Sequence, residues 1–298
     1  MNDNAGSRAP SIKVLVAYHT PSPVLANAIM MPIHVGRALA NPETKSALAH
    51  MPGDDSGDSI SCLNPYYSEM TSVYWAWKNY TAIGNPDYIG FAHYRRILGF
   101  GQETGSDFAP RLVHVAEIQR FYAEAVIQSI VKSCDICVAS PIDIKPRMQD
   151  ADNSHNLLNL CTAKYGRTVI GHYCYRHNVK DLSDAMSYVA ANYPGYKETI
   201  PRFLSMDTMH TANMFIMKRD IFFEYAPWIF AILGHMHAKM DYTNLDPYQT
   251  RAVGFLAERL TSLFLENKKK TGNTILKYIP GLKLLYRPGT DLVAIHPL

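Results

Sequence analysis

The run Tyr88-Ile-Gly-Phe-Ala92, leading at once into His93-Tyr94-Arg95-Arg96, constrains the fold more than any other stretch of this chain. Five apolar or glycine positions in succession, with no polar residue alternating between them, suit a strand covered on both faces, and such strands belong to α/β sheets. A strand of that kind delivers the next few residues to the rim of the sheet, where open α/β folds bind ligands. Here those residues bring an imidazole, a phenol and two guanidinium groups. Adjacent guanidiniums present forked donors matched to phosphate oxygens, so the rim reads as an anion site, most simply for a phosphate or diphosphate. An arginine pair on a solvated loop is the alternative that the rest of the chain has to answer.

Other segments repeat the pattern of strand, polar end and helix. Ile12 to His19 is an apolar, β-branched run closed by Thr20-Pro-Ser-Pro23, which predicts a first strand with Tyr18 and His19 at its end. Pro32 to Ala40 is compatible with a short helix. Asn64 to Asn79 predicts a helix with Asn64 as N-cap and Pro65 in the first turn, placing Tyr67 and Glu69 near its start. Further helices are expected from Val115 to Lys132, around Asp181 to Asn192, from Asp220 to His237, and after Asp246-Pro247, where Asp246 is a good N-cap. Strands are expected from Cys134 to Pro141 and within Ser205 to Met217, which brings His210 and Asn213 near a strand end. The alternation predicts an α/β fold with a mostly parallel sheet flanked by helices and a helical C-terminal part. Residues 1–11 read as a disordered leader, 12–267 as one domain and 268–298 as a tail.

Bulk properties remove several function classes. A net charge of +3 and a pI near 8.5 are too mild for nucleic acid as the main partner. No apolar run reaches the roughly 18 residues needed to span a bilayer. Five cysteines behind an N-terminus without a signal-type apolar core predict free thiols and a cytoplasmic protein. The 19 tyrosines and 12 histidines offer flat faces with polar tips that suit sugars and nucleobases. No GxGxxG, P-loop or GxSxG stands after a strand, which argues against dinucleotide oxidoreductases, NTPases and α/β-hydrolases.

Three motifs have plain structural readings. The aspartates of Gly53 to Asp58 cap turns more simply than they bind calcium. Cys134 and Cys137, taken as part of one strand, point to opposite faces and read as structural thiols. Lys268 to Lys270 form a solvated helix end, with acidic lipid headgroups as a second reading that would place the protein peripherally on a membrane. Asp150 and Asp152 form an Asp-X-Asp pair able to chelate a divalent ion together with a diphosphate.

Taken together and in order, Tyr18-His19, Pro32 to Ala38, Asp54-Asp55-Ser-Gly-Asp58, Asn64 to Asn79, Gly90 to Arg96, Asn213 to Met217 and Gly254-Phe-Leu-Ala-Glu-Arg-Leu260 resemble a bacterial family from capsule and exopolysaccharide gene clusters. That family, long described only as a domain of unknown function, is regarded as one of glycosyltransferases. The resemblance runs from about Ile12 to about Asn267. It implies a GT-A-like, Rossmann-like fold that takes a nucleotide-sugar, a UDP-sugar in the first instance, and a glycan or lipid-linked acceptor. It implies donor contacts from Tyr18, His19, Tyr67, His93, Tyr94, Arg95 and Arg96, and sugar or acceptor contacts from His210, Asn213 and Gln249. Asp246 is the candidate catalytic base. In such folds an Asp-X-Asp at a strand end holds Mn²⁺ or Mg²⁺; here the strand in that place ends in His93 to Arg96. Arginine charge in place of a metal is the resulting expectation, with Asp150 and Asp152 as the fallback metal ligands. The competing class is a non-catalytic nucleotide-sugar or carbohydrate-binding module with the same fold.

Overall fold

The computed structural model describes residues 9–102, 110–144 and 164–298; Asp150 and Asp152 lie outside the described residues. The strands are β1 (Ile12–Tyr18), β2 (Met30–His34), β3 (Tyr88–His93), β4 (Arg96–Leu98), β5 (Arg111–His114), β6 (Ile136–Ala139), β7 (Ile142–Asp143), β8 (Thr208–Met209), β9 (Phe215–Lys218), β10 (Leu276–Ile279), β11 (Gly281–Tyr286) and β12 (Leu292–Pro297). Ten of them form one sheet in the order β10-β6-β9-β3-β4-β11-β12-β5, with β1 joined to β3 and β2 to β1.

The α/β class holds, but the sheet is mixed rather than mostly parallel. Three pairings are parallel, β1 with β2, β1 with β3 and β6 with β10. Six are antiparallel. Parallel pairing needs a long crossover after each strand. This chain instead doubles back within the His93–Arg96 turn and again between β11 and β12.

The central strand is buried on both faces, as its sequence requires. Leu15, Ala17, Ile89, Phe91, Phe215 and Met217 pack on one side against the helices Arg219–Lys239 and Ala252–Thr271. Val14, Val16, Tyr18, Tyr88, Ala92 and Ile216 alternate to the other side, under Ile118, Ile127 and the β11–β12 hairpin. Each of the valine, leucine, isoleucine, phenylalanine and methionine side chains among these, fully buried, is worth about 1.5–3 kcal/mol of transfer free energy. Gly90 permits the close approach of β9, because a Cβ there would lie 2.6 Å from Ile216 Cγ1 and 2.8 Å from the Phe215 carbonyl oxygen.

Several elements differ from the sequence expectation, and the differences shape the site. The helix from Asn64 is two helices, Asn64–Tyr67 and Met70–Lys78, separated at Ser68 with φ 52° and ψ −135°. Asn64 clasps this break rather than capping a long helix: its Nδ2 donates to the Ser68 carbonyl at 2.8 Å and to Thr71 Oγ1 at 3.0 Å. Pro32 to Ala40 completes β2 and adds one turn, Arg37–Leu39, instead of a helix. The helix from Val115 divides into Val115–Phe121 and Glu124–Val131, with Tyr122 between them buried so that its hydroxyl accepts the Leu98 N–H at 2.8 Å. Cys134 precedes β6, so its thiol meets that of Cys137 at 3.3 Å instead of facing away. The segment read as a tail supplies β10, β11 and β12. The three lysines at the end of the long helix pair with Glu224, Glu266 and Glu198, which favours the solvated-helix-end reading over a lipid anchor. No helix among the described residues is long and apolar enough to cross a membrane.

Candidate active site

The ends of β1 and β3 lie side by side, since Ala17 pairs with His93 and the Tyr94 N–H donates to the Ala17 carbonyl at 3.1 Å. His19 therefore stands 5.7 Å from His93, ring centre to ring centre. After His93 the chain turns tightly into β4, with His93 facing Arg96 across the turn. His93 Nδ1 accepts the Arg95 N–H at 3.2 Å, which leaves Nε2 as the donor of the neutral ring. Burial first, then His19, Arg96 and Arg95, push the His93 imidazole down to about 3, so it stays neutral. The turn is buttressed from β11: Tyr286 Oη donates to the Tyr94 carbonyl at 2.7 Å, and the Leu284 N–H to that of Arg95 at 2.8 Å.

This turn opens onto a cleft of two lobes. The first, about 310 Å³, is lined by His19, His93, Arg95, Arg96, Arg251 and Asn64, among others. The second, about 300 Å³, shares Ser68, Glu69, Arg96 and Arg251 with it and extends toward Arg176, Glu258 and Arg259. Arg95, Arg96 and Arg251 have no carboxylate partner within salt-bridge distance among the described residues. Arg251 Nε donates to Ser68 Oγ at 3.1 Å, tying the break in the Asn64 segment to the start of the Ala252–Thr271 helix. Gly254 on that helix faces Ser68, where a Cβ would lie 3.1 Å from the hydroxyl.

Two carboxyl groups line the cleft, Glu69 at the junction of the lobes and Glu258 in the second, and both are held by one unusual turn. Ala212 and Asn213, with φ 67° and 47°, are consecutive non-glycine residues in the left-handed region. Such a conformation costs of order 1–3 kcal/mol per residue and persists only where its surroundings impose it. Asn213 Nδ2 donates to Glu69 Oε1 at 2.9 Å, while its Oδ1 accepts from Thr261 Oγ1 at 3.0 Å. The Ala212 N–H donates to Glu258 Oε1 at 2.8 Å. Glu258 Oε2 accepts from Arg259 Nη1 at 3.0 Å, and the Arg259 Nη2 faces His172 Nδ1 at 3.0 Å. Burial raises the pKa of Glu69, and the nearby Glu258 adds to the shift; the Asn213 bond and Arg96 oppose it.

Of the residues singled out from the sequence, His19, His93, Arg95 and Arg96 line the first lobe. Tyr18, Tyr67 and Tyr94 are buried instead: the Tyr18 hydroxyl accepts the Leu25 N–H at 2.8 Å, Tyr67 packs on His237, and Tyr94 stacks on Tyr18 at 5.4 Å. His210 is buried outside both lobes, with Nδ1 2.7 Å from the Ala139 carbonyl and its ring on Tyr278. Asn213 stands behind Glu69. Gln249 bridges Arg176 and His177. Asp246 is exposed and outside both lobes, its Oδ1 accepting the Tyr248 and Gln249 N–H groups at 2.7 Å each, so the structure places it as a turn cap. Sequence reasoning missed Glu258, Arg251, Arg259 and Arg176. The available signal was Glu258-Arg259 within an otherwise apolar helical face.

In a diphosphate site Mn²⁺ or Mg²⁺ is held by one or two ionised carboxylates together with the phosphates. Burial raises the pKa of Glu69, whose Oε1 accepts from Asn213, and Glu258 is committed to Arg259 and a backbone N–H. No group of three or more His, Cys, Asp or Glu among the described residues could hold an ion. Neither carboxylate of the cleft among the described residues therefore stands as a free ligand for Mn²⁺ or Mg²⁺.

Comparison with known proteins agrees with this architecture. The apo structure of the bifunctional glycosyltransferase WbbM is similar with a TM-score of 0.75 and 31% sequence identity over 91% of this chain. The chain spans 45% of that protein's length. No curated protein matches it significantly. The family described as a domain of unknown function, DUF4422, matches residues 13–270, a span that contains every charged side chain named in the cleft. The chain belongs to the DUF4422 family.

Proposed function

We propose that this protein is a glycosyltransferase that moves a sugar from a nucleotide-sugar, most simply a UDP-sugar, to a glycan or lipid-linked acceptor in surface-polysaccharide synthesis. The observation that carries the reading is the convergence of Arg95, Arg96 and Arg251, all without carboxylate partners among the described residues, on a cleft whose inner end holds Glu69. The first lobe takes the donor. Its three guanidiniums face the diphosphate, where charge-assisted hydrogen bonds are worth about 1.5–3 kcal/mol each. Their value grows as the diphosphate leaves and gains charge, which is how they accelerate the reaction. Neutral His93 contributes an Nε2–H donor beside them.

The second lobe takes the acceptor. An acceptor hydroxyl attacks the anomeric carbon of the donor sugar, and the bond from that carbon to the diphosphate oxygen breaks. The nucleoside diphosphate leaves with the electron pair, and the acceptor proton passes to Glu69. A carboxyl group whose pKa is raised by burial is a better base near neutral pH than an ordinary glutamate. Glu69 thus replaces Asp246 as the favoured base, and Asn213 becomes the residue that orients it.

The test is release of UDP from UDP-glucose, UDP-galactose and UDP-N-acetylglucosamine, with and without Mn²⁺, in the native protein and an Arg95→Ala/Arg96→Ala double variant. The double variant is expected to lose about 10²–10³-fold in kcat/KM. Turnover untouched by the double substitution would remove the diphosphate role. A strand end that carries His93 to Arg96 in place of Asp-X-Asp favours a second reading, a module that binds nucleotide-sugar without turning it over. Binding of donors without any turnover across donors and acceptors would favour that module instead.

A further inference from the structure

We infer that the second lobe is built for an acceptor whose sugar carries, or is joined to, a negative charge, with Tyr248 under the sugar ring and Arg176 on the charge. This rests on the transferase reading and goes beyond it in naming the chemistry of the acceptor.

The lobe has an aromatic wall assembled from two distant segments. His177 stacks on Phe255 at 4.2 Å between ring centres and on Tyr248 at 5.6 Å, and Tyr248 lies 4.8 Å from Phe255. Tyr248 is 42% exposed, so a large flat face stays open on the wall. Rings with one apolar face and a polar tip suit a pyranose. Gln249 pins the wall in place: its Nε2 donates to the Arg176 carbonyl at 2.9 Å, and its Oε1 lies 3.4 Å from His177 Nδ1. The sequence-level choice of Gln249 as an acceptor contact thus becomes a positioning role.

Glu69, shared by both lobes, is held by Asn213 at their junction, and the remaining charged groups of the second lobe do not balance. Arg259 is compensated by Glu258 at 3.0 Å. Arg96 and Arg251 are shared with the first lobe and belong with the donor diphosphate. His177 is held down to about 3, by burial first and then by Arg259, and so contributes no charge. Arg176 remains. It is exposed, lines the lobe, and has no carboxylate partner among the described residues; its guanidinium rests 5.1 Å above the Tyr175 ring. Its place at the last turn of the Val169–Arg176 helix is favourable to the helix dipole. That accounts for a cation at this position but not for its opening onto an aromatic-walled lobe. Two sources offer the matching anion: the carboxylate of a uronic acid, or the phosphate joining a glycan to its lipid.

The experiment is equilibrium binding to the full chain saturated with UDP, using octyl glucoside, octyl glucuronide and a prenyl-diphosphate-linked glucose as probes. At least one anionic probe is expected to bind about tenfold tighter than octyl glucoside, and whichever does so identifies the source. Arg176→Met should bring that preference close to parity and Arg176→Glu should reverse it, while the exposed Arg120→Met should leave it unchanged. Equal binding of all three probes, or a preference that survives Arg176→Glu, would overturn the inference. Each variant is checked by its melting temperature. If the preference fails while UDP-sugars are still turned over, this inference alone falls. If the preference holds and no donor is turned over, the transferase reading falls and the lobe stands as an anionic-glycan site.

Discussion

Glu69 occupies the junction of the two lobes, where one atom changes the meaning of the whole cleft. Because burial lifts its pKa, the native protein binds its proton more tightly than the unfolded chain does. The ionised form is therefore a stability cost at neutral pH and none below the pKa of an unfolded glutamate. Glu69→Gln keeps the bond from Asn213, and it should raise stability at pH 7–8 by about 1 kcal/mol, the usual gain when a functional group under strain is relieved. That gain should vanish near pH 4, as thermal melts across pH would show. The same substitution should lower kcat by about 10²–10⁴-fold and abolish the acid limb of the pH–rate profile, which in the native protein reports Glu69 losing its proton. His19, His93, Arg95 and Arg96 were legible in the sequence because each comes after an apolar run that can only be a buried strand. Glu69 was legible only as a residue near a helix start that could face a ligand; its place in the cleft depends on Ser68 adopting φ 52°, and serine carries no signal for that. Tyr18, Tyr67 and Tyr94 misled for a different reason: an aromatic ring at a strand end or helix start is as useful to the core as to a ligand.

At the scale of elements, the β11–β12 hairpin was the least visible feature. Leu282 and Leu284 are buried while Lys283 and Leu285 are exposed, the alternation of a strand with one covered face. Pro280 before it and Pro288 in its turn disguise it as a punctuated tail. Yet this hairpin holds the arginine turn, through Tyr286 to the Tyr94 carbonyl and Leu284 to that of Arg95. Tyr286→Phe removes one of these bonds at a cost of about 1 kcal/mol, or roughly 2–4 °C in melting temperature. It should also raise KM for the donor by about threefold to tenfold with kcat less affected, since a looser turn presents Arg95 less well. A fall in stability without any change in KM would show that the hairpin supports the fold and not the site.

For the whole molecule, donor binding should be readable as heat resistance. The first lobe draws its loops from β1, β3, the Asn64 break and the Arg251 turn, so a ligand that spans it ties together segments from most of the chain. UDP at a hundred times its dissociation constant should stabilise the native state by about 2.7 kcal/mol, which is roughly 5–10 °C at this size. UMP should give less, and uridine least, when compared at one concentration, because the guanidiniums act on the phosphates. Equal shifts for all three would place recognition on the base instead. The long reach of the arginine turn's support also sets an order of events during synthesis. Tyr94 and Tyr286 are 192 residues apart, which a ribosome covers in roughly 10–40 s at about 5–20 residues per second. Throughout that interval the nascent chain carries its arginines on an unbraced loop, so nucleotide capture waits until β11 has emerged to brace the turn.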